Sequence, residues 1–193
     1  MTRVFFDISM SLDGYMTASG QTPEEPMGPG GDQLVAWAFG EDERDRRVLT
    51  EGIAGTGAVI AGRRTYDTSV RWWGADGPTG DARVPVFVVT HNPAEDAPDG
   101  GVYTFVTDGI EAALDQAKTA AGDKDVTVMG GADTGQQYLR AGLVDELSIH
   151  LVPILLGGGT RMFEHLGDAH INLEPVGLTG TAAATHLRLR VVK

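Results

Sequence analysis

The sequence predicts an α/β fold in which a central, mixed but mostly parallel sheet has helices on both faces and an antiparallel C-terminal hairpin. Two patterns in the 193 residues support this prediction. Short runs of β-branched and other apolar residues alternate with helical patterns, as parallel βα units require. The last two predicted strands follow one another without a helix between them, which is typical of an antiparallel pair. We expect residues 1–193 to form a single domain.

Composition limits the classes of function that the chain can have. The formal net charge is −12, so no broad basic surface is expected for nucleic acid or an anionic membrane. The chain contains no cysteine, which excludes disulfides and thiolate metal ligands, and its five histidines lack the spacing of a helical metal site. No secretory signal and no apolar stretch of membrane-spanning length is visible, which favours a cytoplasmic protein.

The chain begins with a nearly continuous apolar run at residues 3–10, which predicts a central strand. Residues 11–14 form a turn, with Asp13 and Gly14 as the reversing pair. Residues 21–31 are rich in proline and glycine and predict a loop, which is either a lid over a site or slack chain. Apolar residues at helical spacing between 32 and 53 predict one long or broken helical region with a charged outer face.

The remaining elements repeat the strand-helix alternation until the C-terminal hairpin. A helix is predicted from Tyr66, another over 108–121 with Asp108 as N-cap and Gly122 at its end, and a third after Gly131. A loop is predicted at 70–83. Strands are predicted at 58–61, 84–90, 102–106, 126–129 and 144–156, and the hairpin strands at 171–178 and 186–192.

Two of the predicted strands end in glycine and lead directly into a helix. One is followed by Gly130 and Gly131, and the other by the sequence GRRT at 62–65. Glycine lets the backbone approach a phosphate closely, and a helix start presents free N–H groups and a positive dipole end. The two arginines add planar donors suited to phosphate, and without an anion they would oppose the helix dipole. Either corner alone could instead be a tight turn without a ligand.

A third polar corner follows the strand at 84–90, where Thr90 and His91 occur. A lone loop histidine is usually merely exposed, but the carboxyl ends of parallel strands meet at one edge of a sheet and bind ligands there. Three such corners at one edge predict a ligand with more than one phosphate, such as NADPH. Residues 130–135 do not match the dinucleotide fingerprint G-x-G-x-x-G, and residues 57–64 lack the lysine of a P-loop in register.

Four motifs give the chain a specific resemblance to a known family. SLDGYM at 11–16, AGRRTYD at 61–67, VMGGADTGQQYL at 128–139 and VDELSIHLVPILLGGGTRMF at 144–163 resemble the RibD C-terminal domain family. That family is the reductase half of the bacterial riboflavin deaminase-reductase. The resemblance implies the three-layer dihydrofolate reductase-like fold, NADPH as cofactor and a homodimer. The terminal hairpin, polar on one face, also suggests pairing across a two-fold axis.

The resemblance implies a role for each of the three corners. Residues 62–65 resemble the G-R-x-T turn that binds the 2′-phosphate and pyrophosphate of NADPH, and the Gly-Gly corner resembles the pyrophosphate site. Thr90 and His91 match the position that flanks the 2′-phosphate. The implied cofactor-binding residues are Gly62, Arg63, Arg64, Thr65, Thr90, His91, Gly130, Gly131, Ala132, Asp133 and Thr134.

The chain departs from this family and fold in three respects. We expect no zinc deaminase half within these 193 residues, since they include no cysteine to bind zinc and leave no room for it. The acid that holds the pterin in dihydrofolate reductase has no matching position, although Asp32 lies in a similar setting ahead of Trp37. Asp133 places an acid beside the implied pyrophosphate, where it could face away or cap the helix.

The expected function is an NADPH-dependent oxidoreductase that transfers a hydride to a C=N or C=O carbon of a pyrimidine- or pterin-like small molecule. The resemblance implies the riboflavin-pathway type, similar to 5-amino-6-(5-phosphoribosylamino)uracil reductase. The alternatives are a dihydrofolate reductase-like pterin reductase and a non-catalytic NADPH-binding module. Asp13 is the catalytic candidate, a group that polarises or protonates substrate, unless it only forms its turn. Trp37 either lines the substrate pocket or packs in the core.

Overall fold

The computed structural model describes residues 2–193 and is built around a central eight-stranded sheet. The α-helices are α1 (Glu43–Gly55), α2 (Arg63–Trp73), α3 (Ile110–Ala121) and α4 (Ala132–Arg140). The strands are β1 (Val4–Ser11), β2 (Tyr15–Thr17), β3 (Thr56–Gly62), β4 (Val86–Val89), β5 (Tyr103–Val106), β6 (Asp125–Met129), β7 (Glu146–Val152), β8 (Thr160–Arg161), β9 (Leu173–Gly180) and β10 (Thr185–Val191).

The strand order across the main sheet is β5-β4-β3-β6-β1-β7-β10-β9. The strands from β5 to β7 run parallel to their neighbours, whereas β10 is antiparallel to both β7 and β9. The predicted mostly parallel sheet with an antiparallel C-terminal hairpin is therefore confirmed. β2 and β8 form a separate two-stranded antiparallel sheet, which the sequence patterns did not predict.

Side chains alternate between the two faces of the sheet, and helices pack on both faces. On β3, Ile60 packs in the core cluster that contains Leu114 of α3. Its neighbour Val59 faces the other way and packs in the cluster that contains Tyr66 of α2. The sheet is thus the middle of three layers, with α3 and α4 on one side and α2 on the other.

The segment before α1 covers the other end of the α2 face. Two 3₁₀ turns, Gly31–Leu34 and Ala36–Phe39, place Leu34 and Trp37 in a cluster with Val152 of β7. Trp37 also reaches Ser9 of β1, to which its indole N–H donates a hydrogen bond of 2.9 Å. Because α2 packs on β3 and β4 and this segment packs near β1 and β7, the surface over β6 and the adjoining side of β1 lies between them.

The structure corrects three predicted boundaries and decides between two alternatives. β7 ends at Val152, so the strand predicted at 144–156 is shorter. α2 continues to Trp73, so the loop predicted at 70–83 begins later. Asp108 does not cap α3, because Gly109 at a φ of 92° occupies that position and no side chain accepts from the first turn. The region 32–53 is of the broken type, since Asp42 starts α1 by accepting the backbone N–H of Arg44. None of the helices within residues 2–193 has both the length and the apolar character needed to cross a membrane.

Candidate active site

A cleft of about 1210 Å³ opens over the strip of sheet between α2 and the segment that carries Trp37. Its lining includes Asp7 of β1 together with Thr127 and Met129 of β6. All of the residues implied to bind the cofactor also line it, as does Trp37. The three corners at the ends of β3, β4 and β6 therefore meet at one edge of the sheet, as expected for parallel strands.

The corners after β3 and β6 touch each other directly. A Cβ atom built on Gly62 would lie 2.4 Å from Oγ1 of Thr134, and one built on Gly130 would lie 2.7 Å from Cγ2 of Thr65. Gly130 and Gly131 also have φ angles of 69° and 80°, which favour glycine. Any larger residue at Gly62 or Gly130 would fill the space between the corners, so the sequence of both turns preserves a narrow cradle.

Two helix starts meet at this cradle. α2 begins after Gly62 and α4 begins after Gly131, and neither helix has a side chain that caps its first turn. The free N–H groups and the positive dipole ends of both helices therefore reach the cleft side by side. This set of donors fits a ligand that presents adjacent phosphates.

The two arginines of the GRRT sequence are held differently. Arg63 donates from Nε to Oδ1 of Asp67 at 2.7 Å and from Nη1 to the carbonyl of Asn92, so it ties α2 to the corner after β4. Arg64 is exposed, and within residues 2–193 no carboxylate lies within ion-pair distance of it. Arg64 is consequently the more available of the two cations for an anion in the cleft.

The other charged and polar groups of the corners are arranged around these donors. Thr90 is buried, and its hydroxyl donates to the carbonyl of Asn92 at 2.9 Å, whereas His91 is exposed. Asp133 accepts from the side-chain amide of Gln137 at 2.7 Å, one turn further along α4. The carboxylate of Asp133 therefore bonds along its own helix and does not cap it.

Trp37 is nearly buried and forms one wall of the cleft. Its ring lies 4.2 Å from the ring of His150 and 4.8 Å from the ring of His186, measured between centroids. Trp37 therefore packs in a core cluster and also borders the cleft, and its contact with a substrate stays a prediction.

Sequence reasoning missed a line of four side chains below Trp37. His150 Nε2 lies 3.3 Å from Oδ1 of Asp7, the Nδ1 atoms of His150 and His186 lie 2.7 Å apart, and His186 Nε2 lies 2.8 Å from Oδ1 of Asp45. Both rings and Asp45 are at most 5% exposed, while the Asp7 side chain is 31% exposed at the cleft. The sequence signal that could have revealed this line is one titratable side chain on each of three otherwise apolar strands. These side chains are Asp7 on β1, His150 on β7 and His186 on β10.

The family of the chain follows from a match over nearly its whole length. The model for the RibD C-terminal domain matches residues 2–187. The chain belongs to this family. A curated relative, the uncharacterized protein YyaP of Bacillus subtilis (strain 168), is 23% identical over 188 residues, which cover 90% of this chain and 86% of YyaP.

Solved structures show that this RibD C-terminal domain has the dihydrofolate reductase-like fold. A Shewanella sp. PV-4 protein assigned provisionally to riboflavin biosynthesis is 21% identical with a TM-score of 0.73, and all of both chains is covered. Dihydrofolate reductase from Enterococcus faecalis, solved with NADP(H) and RAB-propyl, is 16% identical with a TM-score of 0.65, covering 99% of this chain and 97% of that one. The predicted family and fold are confirmed.

Asp13 lies in the family motif SLDGYM but outside the lining of the cleft. Its carboxylate accepts from the hydroxyl of Ser11 at 2.6 Å and from the backbone N–H groups of Leu156 and Gly157 at 3.1 and 2.7 Å. The bond from Ser11, followed by the backbone bonds, lowers the pKa of Asp13 to about 2. These contacts favour the turn-forming role that the sequence left open over the role of proton donor.

The polar loop at 21–31 reaches the cleft and the end of α2. Met27 lines the cleft, while Trp72 donates from its indole nitrogen to the carbonyl of Pro23 at 3.2 Å and Arg71 pairs with Glu24 at 3.2 Å. Both contacts are exposed and join the loop to the end of α2, and Trp72 lines the cleft together with Met27. Asp32, which follows this loop, is exposed and does not line the cleft, so its similar setting ahead of Trp37 does not make it part of the site.

Proposed function

We propose that this RibD C-terminal domain is an NADPH-dependent reductase that transfers a hydride to a C=N or C=O carbon of a pyrimidine- or pterin-like molecule. The proposed substrate class is that of the riboflavin pathway, 5-amino-6-(5-phosphoribosylamino)uracil or an analogue. The observation that carries the proposal is the contact between the Gly62 and Gly130 corners, which unites two uncapped helix starts in one cleft. The Enterococcus faecalis reductase of the same fold binds NADP(H), which supports the choice of cofactor.

The proposed cofactor contacts follow from the position of each donor. The N–H groups at the start of α4, with Gly130 and Gly131, would hold the pyrophosphate, since the glycines leave room for close backbone approach. Arg64 and Arg63 would bind the 2′-phosphate through charge-assisted hydrogen bonds, with Thr90 and His91 beside them. When bound, NADPH supplies the hydride for the reaction.

The rest of the cleft is suited to a flat, partly polar substrate. Trp37 offers an aromatic wall, Val48 and Leu49 of α1 add apolar surface, and Asp7 supplies a carboxylate at the floor. An apolar cleft with few polar groups excludes water and orients a small heterocycle against the cofactor. The chain would therefore act by positioning two ligands and by supplying a proton.

Calorimetry and a turnover assay test the proposal in sequence. NADPH is expected to bind with measurable heat, and its oxidation is expected to be accelerated by 5-amino-6-(5-phosphoribosylamino)uracil. Turnover with dihydrofolate instead would make the protein a pterin reductase with the same cofactor site. Binding without turnover on either substrate would make it a non-catalytic NADPH-binding module, and the absence of NADPH binding would overturn the proposal.

We also propose that the protein forms a homodimer through its C-terminal hairpin. β9 lies at the edge of the sheet and exposes Leu173, Val176 and Leu178 to solvent. An unpaired edge strand with apolar side chains is a surface that proteins usually cover, and a two-fold axis would cover both copies at once. Light scattering coupled to size exclusion is expected to give twice the chain mass of 20.4 kDa, and a monomer at micromolar concentration would contradict this.

A further inference from the structure

We propose that Asp7, His150, His186 and Asp45 form a proton relay, and that Asp7 is its cleft end and the acid that protonates the substrate. The inference rests on the proposed reductase function. It differs from the assignment made from sequence, because Asp13 lies outside the cleft whereas Asp7 lies on its floor. The relay joins four elements, since Asp7 lies on β1, His150 on β7, His186 on β10 and Asp45 on α1.

If all three contacts between these four side chains are hydrogen bonds, they require one proton more than two neutral rings and two ionised carboxylates would hold. The Nδ1 atoms of His150 and His186 face each other at 2.7 Å, so one of them carries a hydrogen and the other accepts it. If both carboxylates are ionised, each ring also needs a hydrogen on Nε2 to meet its carboxylate. The two rings then carry three N–H hydrogens between them, so one ring is an imidazolium. The four side chains of the relay together have a net charge of −1.

The same contacts are kept when the excess proton moves to the cleft. If Asp7 takes the hydrogen on Oδ1, His150 Nε2 becomes its acceptor, and both rings are neutral. Of the four groups, Asp7 is 31% exposed, whereas His150, His186 and Asp45 are at most 5% exposed. The proton can therefore leave or enter the relay at Asp7. Asp7 lies opposite Met129, which the Gly-Gly corner follows.

The proposed step balances in atoms and electrons. The hydride of a reduced nicotinamide forms a C–H bond as the π bond of the substrate C=N or C=O breaks. The electron pair of the π bond would go to the nitrogen or oxygen, which would take a proton from Asp7 Oδ1 and leave Asp7 as a carboxylate, while the nicotinamide would be left oxidised. The four side chains of the relay, which now have a net charge of −2, regain one proton from solvent through Asp7 before the next turnover.

The surrounding charges do not provide another partner for the relay. On the same face of the sheet, Glu146 pairs with Arg3 at 3.1 Å and with Arg188 at 2.6 Å, and Arg3 also pairs with Asp125 at 2.8 Å. Glu51 of α1 lines the cleft without an ion pair among residues 2–193. Within that same part of the chain, no group of three or more His, Cys, Asp or Glu side chains is placed to hold a metal ion.

Kinetics of Asp7→Asn test whether the relay delivers its proton. The amide keeps the shape of the carboxyl group but cannot act as an acid, so NADPH should bind as in the wild type while turnover falls by about 100-fold or more. The assay uses the substrate that the wild type reduces, dihydrofolate or 5-amino-6-(5-phosphoribosylamino)uracil. Asp145→Asn is the control, because Asp145 accepts the backbone N–H of Val4 away from the cleft and should leave turnover unchanged.

Proton–nitrogen NMR of the histidine rings tests the shared proton without turnover. We expect the two Nδ1 atoms to share one hydrogen at neutral pH, and Asp7→Asn to shift the ring signals of His186, which Asp7 does not touch. Asp145→Asn should leave these signals unchanged. Two Nδ1 atoms without a hydrogen, or a His186 ring that does not respond to Asp7→Asn, would overturn the relay.

The two measurements separate failure of the relay from failure of the reductase function. Asp7→Asn turnover within about threefold of the wild type, where about 100-fold is expected of a general acid, overturns proton delivery and leaves the reductase function intact. Wild-type protein that shows coupled ring signals but oxidises NADPH with neither substrate overturns the reductase function and the delivery step together. Loss of turnover in Asp7→Asn with unchanged NADPH affinity and coupled rings supports both.

Discussion

A Cβ atom on Gly62 would lie 2.4 Å from the hydroxyl oxygen of Thr134, which belongs to the first turn of the neighbouring helix. Real Cβ atoms do not approach another heavy atom so closely. The short distance means that the corner after β3 and the corner after β6 form one surface, and that glycine at position 62 is required by packing. The backbone of Gly62, at a φ of −80°, is open to any residue.

Gly62→Ala is therefore expected to separate the two corners without straining its own backbone. The extra methyl group should destabilise the protein by about 1–3 kcal/mol, as overpacking does, and should weaken NADPH binding. Thermal unfolding and calorimetry measure the two effects. Gly180→Ala is the matched control, because nothing lies within 4 Å of a Cβ there and the residue does not line the cleft. NADPH affinity that is unchanged in Gly62→Ala would show that the cradle does not hold the cofactor.

Arg64→Ala is expected to weaken NADPH binding by about 10- to 100-fold and NADH binding much less, because a hydrogen bond to a charged group contributes about 1.5–3 kcal/mol and only NADPH carries the 2′-phosphate. Arg63→Ala should show the same preference with an added loss of stability, since Arg63 also binds Asp67 and the carbonyl of Asn92. Binding of both cofactors to each variant is measured by calorimetry.

Arg47→Ala serves as the control for the arginine variants, because Arg47 is exposed on α1 and does not line the cleft. It should bind both cofactors as the wild type does. Equal losses of NADPH and NADH affinity in Arg64→Ala would contradict the 2′-phosphate assignment.

Asp13→Ala is expected to lower stability at neutral pH, with a difference from the wild type that disappears in acid. The folded protein lowers the pKa of Asp13 from 3.8 to about 2, chiefly through the hydroxyl of Ser11. A lowered pKa means that the stabilisation is complete above pH 3.8 and is lost as the pH falls through about 2. Urea unfolding between neutral pH and pH 2 follows the difference.

The control for this pH dependence is Asp168→Ala, since Asp168 is exposed and no hydrogen bond to its carboxylate is present within residues 2–193. It should leave the stability profile unchanged. An Asp13→Ala variant that is as stable as the wild type at neutral pH, yet loses turnover, would restore Asp13 as the catalytic candidate.

His186→Ala is expected to destabilise the protein by about 3–5 kcal/mol, because it leaves Asp45 buried without its partner. The carboxylate of Asp45 is 1% exposed and lies 2.8 Å from His186 Nε2. The double variant Asp45→Ala with His186→Ala should lose less than the sum of the two single losses, since no unpaired charge remains. Chemical denaturation of the wild type, the two single variants and the double variant gives this coupling energy. Additive losses would argue against an ion pair between the two groups.

Much of the fold and part of the site were predictable from the sequence. The βα order followed from apolar runs of strand length, and the Gly62 and Gly130 corners followed from glycine between a strand and a helix. Two local errors show the limits of such patterns. Asp108 is a good N-cap by type, but the chain places Gly109 there at a φ of 92°. The first residues of the loop predicted at 70–83 belong to α2, because Val70 packs into the core cluster around Tyr66.

By itself the sequence determined the family, the order of the elements and the residues at each corner, because these depend on spacings of a few residues along one segment. Only the tertiary structure decided that Asp7 and His150 meet at the floor of the cleft and that His150 faces His186 through Nδ1. Those contacts depend on the register of β1, β7 and β10 and on the docking of α1, which joins residues 141 positions apart in the case of Asp45 and His186. The alternation of apolar and polar residues along a strand shows which face of the sheet a side chain lies on. Its neighbour on the next strand depends on the register in which distant strands pair when the core packs.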